Sequence, residues 1–142
     1  MTDLEILVIG DPASQGSKTA YVKGGRAILV ESSPRLRPWR AAISAATSAA
    51  CRAQEWPPLD APVEVEALFL LRRPRSAPRR IIYPAVKPDL DKLTRALLDG
   101  IVDGGALRDD SRIVTLRVAK RYVGDPEHDY AHPGAHAIIR PM

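Results

Sequence analysis

Between residues 62 and 104 the spacing of apolar side chains changes once. Val63, Val65, Ala67, Phe69 and Leu71 alternate with Glu64, Glu66 and Leu68, the two-residue repeat of a strand with one face turned inward. Leu90, Leu93, Leu97, Leu98 and Ile101 then recur every three or four residues, which is the repeat of a helix with one apolar side. The pattern predicts a strand over 62–71 and a helix over 90–103 that ends at Gly104-Gly105, because glycine tolerates the backbone that closes a helix. A strand followed by an amphipathic helix points to helices layered on a sheet.

The remaining chain fits that scheme. Leu4 to Ile9 reads as a short strand stopped by Gly10-Asp11-Pro12, and residues 20–23 and 26–31 flank Gly24-Gly25, a strong two-residue hairpin signal. Ser32-Ser33-Pro34 offers a helix-start sequence, and the alanine-rich helix itself is placed from Pro38 to about Gln54, since proline fits the first turn. Pro57-Pro58 breaks the chain, Ile113 to Val123 reads as a strand with Val114, Leu116 and Val118 on one face, and 135–140 as a last strand after a loop over 124–134. The order β-β-β-α-β-α-β-β predicts an α/β (α+β) fold, a single mixed sheet with two main helices, and one domain over 1–142.

Composition narrows the class. A hydrophobic fraction of 45% excludes a wholly disordered chain. Cys51 is the only cysteine, so neither an intramolecular disulfide nor a multi-cysteine zinc site is available. No apolar run approaches the ~18 residues of a membrane span, and the acidic start Met1-Thr2-Asp3-Leu4-Glu5 lacks the basic region of a signal peptide. A soluble cytoplasmic protein with no membrane partner is expected. His128, His132 and His136 lie four apart, but Pro133-Gly134 interrupts any helix that would align them as metal ligands. Cys51, Trp39 and Trp56 read as core.

Charge is the more pointed signal. The net charge is only +4, yet residues 1–80 hold 12 basic and 8 acidic side chains while 81–142 hold 9 of each. Sixteen of the 21 basic residues are arginine; coding bias accounts for such an excess, but the planar guanidinium still grips phosphate bidentately. Arg72, Arg73, Arg75, Arg79 and Arg80 fall within ten residues, directly ahead of an acid-rich stretch with Asp89, Asp91, Asp99, Asp103, Asp109 and Asp110. The arginines would give sequence-independent, salt-sensitive contacts to a nucleic-acid backbone, or stand as a solvated loop. The segment Gln15-Gly16-Ser17-Lys18 would offer backbone N–H groups and Lys18 to phosphate, or serve only as a connection.

Pro88 keeps Lys87 out of the helix, so Asp89 stands at the loop–helix junction, with Asp91 in the first turn and Arg95 four residues on. Carboxylates at a helix start, joined by Asp109 or Asp110 from the next loop, make an oxygen-rich pocket suited to Mg²⁺. Such ions serve phosphodiester hydrolysis, with a nearby cation steadying the charge on phosphate. The alternative is that Asp89 caps the helix, Asp91 complements its dipole, and Asp109-Asp110 is a solvated turn.

Lys87-Pro88-Asp89-Leu90-Asp91-Lys92-Leu93, with Arg95, Leu98-Asp99, Asp109-Asp110 and the run to Lys120-Arg121-Tyr122, resembles the RusA family of Holliday-junction resolvases, often encoded by phages or prophages. Pro12, Gln15-Gly16-Ser17-Lys18 and the stretch from Ser33 to Trp39-Arg40 also look like phage members. The resemblance implies a Mg²⁺-dependent endodeoxyribonuclease, with Mn²⁺ able to substitute, that acts as a homodimer on four-way DNA junctions. It places Asp89, Asp91 and Asp110 on the metal-binding positions, Asp109 beside them, and Asp99 on the acid within the helix. Arg95 falls where the family has a catalytic lysine, Lys92 where it has asparagine, and Lys120 on a basic position that would supply the missing amine. Lys87, Lys92, Gln15, Ser17, Lys18 and the five arginines form the expected DNA-contact set. The departures at Lys92 and Arg95 keep a second possibility open, a non-catalytic DNA-binding module with a decayed site.

Overall fold

The computed structural model describes residues 2–16, 18–31 and 34–142, and of 18–21 and 29–31 the backbone only. Ser17, the side chain of Lys18 and the Ser32-Ser33 helix-start sequence lie outside the described residues. The elements run β1 (Leu4–Ile9), β2 (Lys18–Lys23), β3 (Arg26–Glu31), α1 (Leu36–Ala53), β4 (Val63–Leu71), α2 (Leu90–Asp103), β5 (Ile113–Tyr122) and β6 (Gly134–Pro141), in the order the periodicity predicts.

Four strands form one mixed sheet in the order β1-β6-β4-β5, while β2 and β3 pair only with each other. The sheet is therefore α+β in character, with the hairpin standing apart as a second, two-stranded sheet. Gly24 and Gly25 both have positive φ, 59° and 76°, the backbone that a tight two-residue hairpin needs and glycine adopts without strain. In the main sheet β4 lies centrally, antiparallel to β6 and parallel to β5. That position explains why Val63, Val65 and Phe69 are fully buried.

Both helices cover one face of the sheet. α1 turns Leu36, Trp39, Ile43 and Thr47 inward and α2 turns Leu93, Ala96, Leu97, Gly100 and Ile101 inward. They cross where α2 has no side chains: a Cβ at Gly100 would lie 2.5 Å from Ile43 Cγ2, and one at Gly104 2.6 Å from Thr47 Cβ. Helix α1 begins at Leu36, two residues before the expected start, with Pro38 inside the first turn. The first four N–H groups of a helix lack intrahelical acceptors, so a proline in its third position costs no hydrogen bond. Trp39 and Trp56 are core residues, Trp56 donating Nε1–H to the Ala106 carbonyl at 2.9 Å. Cys51 is half-buried, and burial pushes its thiol pKa up.

The edge strand β5 carries its apolar face only partly covered. Val118 is half-buried, but Val114 and Leu116 on the same side are exposed. Helix α2 runs beside β5 without covering it, which leaves a groove of about 580 Å³ between the two elements. Among the described residues no helix is long and apolar enough to cross a membrane.

Candidate active site

Helix α2 starts with an uncapped carboxylate. Asp89 is the N-cap residue, yet its side chain accepts no backbone N–H of the first turn; its Oδ2 instead accepts from Lys92 Nζ at 3.3 Å. The simple capping role is therefore not the one Asp89 plays. Its carboxylate stays on the surface beside Asp91, which is also exposed.

Asp91, Arg95 and Asp99 follow one another at four-residue steps along α2 and line the groove against β5, together with Leu90, Leu98, Leu116, Val118 and Asp110. Asp110 comes from the single 3-10 turn Asp110–Arg112 that leads into β5. The groove thus has an apolar floor with three carboxylates and one guanidinium on its walls. A smaller hollow of about 180 Å³ shares Asp99 and Asp110 and adds Asp109, Asp103 and Arg40. Arg40 is fixed there by Asp103, 2.8 Å away.

The acidic pair splits into two roles. Asp109 caps the turn, accepting the Ser111 backbone N–H at 2.8 Å, and this bond chiefly holds its carboxyl below the ordinary range. Asp110 is held above it, first by its hydrogen bond with Asp109, then by burial and by the negative charges of Asp109 and Asp99. A carboxylate whose ionisation its acidic neighbours disfavour is a fit for a hard divalent cation, which takes oxygen ligands. Among the described residues the acids at 89, 91, 99, 109 and 110 do not close to a ligating triad; the group whose ligand atoms lie within 4.8 Å of one another is Asp125, Glu127 and His128. That group sits on the loop after β5, and the His-only spacing considered from the sequence did not point to it.

The N-terminal loop forms one side of the site. Gln15 is buried and donates Nε2–H to Asp99 Oδ2 at 2.5 Å, while its backbone N–H goes to the Lys92 carbonyl at 3.1 Å. Of the backbone N–H groups that this segment offered to phosphate, that of Gln15 is thus committed inward. Gly16, with φ at 136°, lies so close to α2 that a Cβ would sit 3.4 Å from an Arg95 guanidinium nitrogen. Gln15 enters the site through tertiary contact, a role with no local sequence signal.

The basic residues also divide. Arg73 reaches into its own loop and donates to the carbonyls of Ile81 and Pro78, with its guanidinium over the Tyr122 ring; it braces the loop instead of facing solvent. Arg72 is exposed and lies 3.4 Å from Asp11. Arg75, Arg79, Arg80 and Lys87 are exposed, and no ion pair involves them among the described residues. Lys120 Nζ donates to the carbonyls of Val86 and Pro88 at 2.6 and 2.8 Å, tying the loop end ahead of Asp89 to β5.

A family model described as Endodeoxyribonuclease RusA matches residues 10–128. The chain belongs to the RusA family. The matched span runs from the loop holding Gln15 through both helices and beyond the end of β5, so it contains every acid of the groove. No curated protein sequence matches the chain. Lys92 pairs with Asp89 at 3.3 Å, and Arg95 brings a guanidinium to the groove wall.

Proposed function

We propose that this RusA-family chain is a Mg²⁺-dependent, structure-selective endodeoxyribonuclease that resolves four-way DNA junctions as a homodimer, with Mn²⁺ able to replace Mg²⁺. The carrying observation is the groove that Asp91, Asp99 and Asp110 line together with Arg95, next to a loop on which Arg75, Arg79 and Arg80 are exposed. Asp89, Asp91 and Asp110, with Asp109 behind them, would hold the cation. When bound, it would neutralise the crowded carboxylates and acidify a water for attack on phosphorus. Arg95 binds the non-bridging oxygens of the scissile phosphate, because its fixed fork matches two oxygens at once and stays charged throughout. It exchanges no proton, so the acids must serve the attacking water. Asp99, held by Gln15, keeps the groove anionic and oriented. Arg75, Arg79 and Arg80 fix the duplex arms by their phosphates. A dimer follows from the two symmetric cuts that a four-way junction requires, and two-fold pairing is the commonest symmetry.

The test is a labelled four-way junction against linear duplex, with and without Mg²⁺. Paired nicks on the junction that require the cation are expected. Asp91→Asn and Asp110→Asn should each lower cleavage on the order of 10²–10³-fold, the usual cost of a lost charge-stabilising group, while leaving junction binding measurable. The Lys92–Asp89 contact favours the second reading, a DNA-binding module with a decayed site. Tight junction binding with no nicking in either Mg²⁺ or Mn²⁺ would establish that reading instead.

A further inference from the structure

The loop from Arg72 to Asp89 exposes its apolar side chains. Ile81, Ile82, Tyr83 and Val86 are 41, 51, 56 and 58% exposed, whereas apolar residues in a loose loop collapse against the nearest core. This loop is braced against collapse. Turns close from the Ala77 N–H to the Pro74 carbonyl and from the Ile81 N–H to the Pro78 carbonyl, at 3.1 and 3.0 Å. Arg73 fills the inside of the loop and takes the carbonyls of Pro78 and Ile81. Lys120 clamps the base at Val86 and Pro88, and Arg121 lies 5.1 Å from the Tyr83 ring. The carbonyls of Pro74, Pro78, Ile81, Val86 and Pro88 are therefore held from within, and the apolar side chains are left outside.

The surroundings identify what such a tip meets. Arg75, Arg79 and Arg80 are exposed on the same loop, so an apolar point is flanked by phosphate-binding cations. The loop also runs straight into Asp89 and the acid groove. A protein partner would be met by a rim of unpaired arginines. DNA offers anionic backbones on either side and apolar base faces between them, and branched DNA offers base steps whose stacking is already interrupted. Side chains of this kind enter base steps and unstack them when neighbouring cations hold the backbone.

We propose that Ile81 and Ile82, with Tyr83 beside them, form a wedge that enters the base stack at the branch point of the DNA. The proposal rests on the branched-DNA nuclease reading and adds the element that distinguishes a branch from a continuous duplex. Val86 lies at the base of the wedge, near Lys120, and the arginines grip the flanking phosphates. The braced backbone keeps the wedge extended before DNA arrives.

The experiment places 2-aminopurine at the branch point of a four-way junction, without divalent cation, at protein concentrations where a gel shift shows every junction bound. Wild-type protein is expected to raise the fluorescence several-fold. The Ile81→Ser/Ile82→Ser double variant is expected to reach less than a third of that rise, and Ile82→Ser alone an intermediate value. Both positions are exposed, and a matching thermal melt verifies that the variants fold. Equal rises in wild type and double variant overturn the wedge. So does a double variant that loses a self-association present in the wild type, because the tip would then be a protein interface. A wild-type enzyme that cleaves junctions without any fluorescence rise refutes the wedge and leaves the nuclease reading standing. A wild type that neither binds nor cleaves branched DNA removes both.

Discussion

Gln15 donates its side-chain amide to Asp99, a residue 84 positions away in the sequence. The contact makes the first loop of the chain a wall of the acid groove, since Asp99 and Asp110 line it together. Gln15 Oε1 is buried with no partner, so the amide is held in place by the Asp99 bond and by its own backbone N–H. Gln15→Ala should cost about 2 kcal/mol of stability, the value of a hydrogen bond to a charged group, measured by urea unfolding. Gln15→Glu should cost more, because two carboxylates would then face each other, and it should depress cleavage further than the alanine variant.

Lys120 is the fastening of the arginine loop. Lys120→Met removes the charged donor from the Val86 and Pro88 carbonyls. Losing about 1.5 kcal/mol multiplies the open population roughly tenfold. The appearance of tryptic fragments cut after Arg79 or Arg80 should accelerate by about that factor.

Salt dependence separates the arginines. Alanine at Arg75, Arg79 or Arg80 should each reduce the slope of log affinity against log salt by about 0.9, one phosphate contact. Arg73→Ala should leave the slope nearer its wild-type value and lower the thermal midpoint, because its guanidinium is committed to Ile81, Pro78 and Tyr122. Binding isotherms across a salt series measure the first effect and a melt the second.

The helix crossing tolerates no methyl group. A Cβ at Gly100 would lie 2.7 Å from Ile43 Cβ, which sits on the main part of a buried side chain and cannot swing away. Gly100→Ala should destabilise by about 1–3 kcal/mol through overpacking, despite alanine's better helix propensity. Urea unfolding reads the difference.

Asp125 sets an acid limit. The Glu127 backbone N–H, and then His128, hold its carboxyl below the ordinary range. Folding thus favours the ionised form, so its contribution is present above the ordinary carboxylate range and is lost as pH falls through the lowered value. The stability gap between wild type and Asp125→Asn should be widest near neutral pH and close on acidification, followed by urea unfolding at a series of pH values.

Much of this was legible along the chain. The two-residue repeat of 62–71 and the helical repeat of 90–103 predict β4 and α2 nearly to the residue, because a strand or helix is set by local period and by glycine and proline at its ends. The same helical register already places Asp91 and Arg95 on one side of α2, with Asp99 one turn further. Paired glycines mark the β2–β3 turn for the same local reason.

Other features depended on contacts between distant segments. Gln15 faces Asp99, Arg73 turns inward while Arg79 turns out, Lys120 clamps the loop end ahead of Asp89, and β5 stays half-open at the sheet edge. None of these leaves a mark in spacing or composition. Local periodicity and the turn-forming residues fix the elements, their order and the clustering of acids behind arginines. Which acid meets which partner follows instead from how α2 packs between α1 and β5, because packing joins residues that local periodicity never relates.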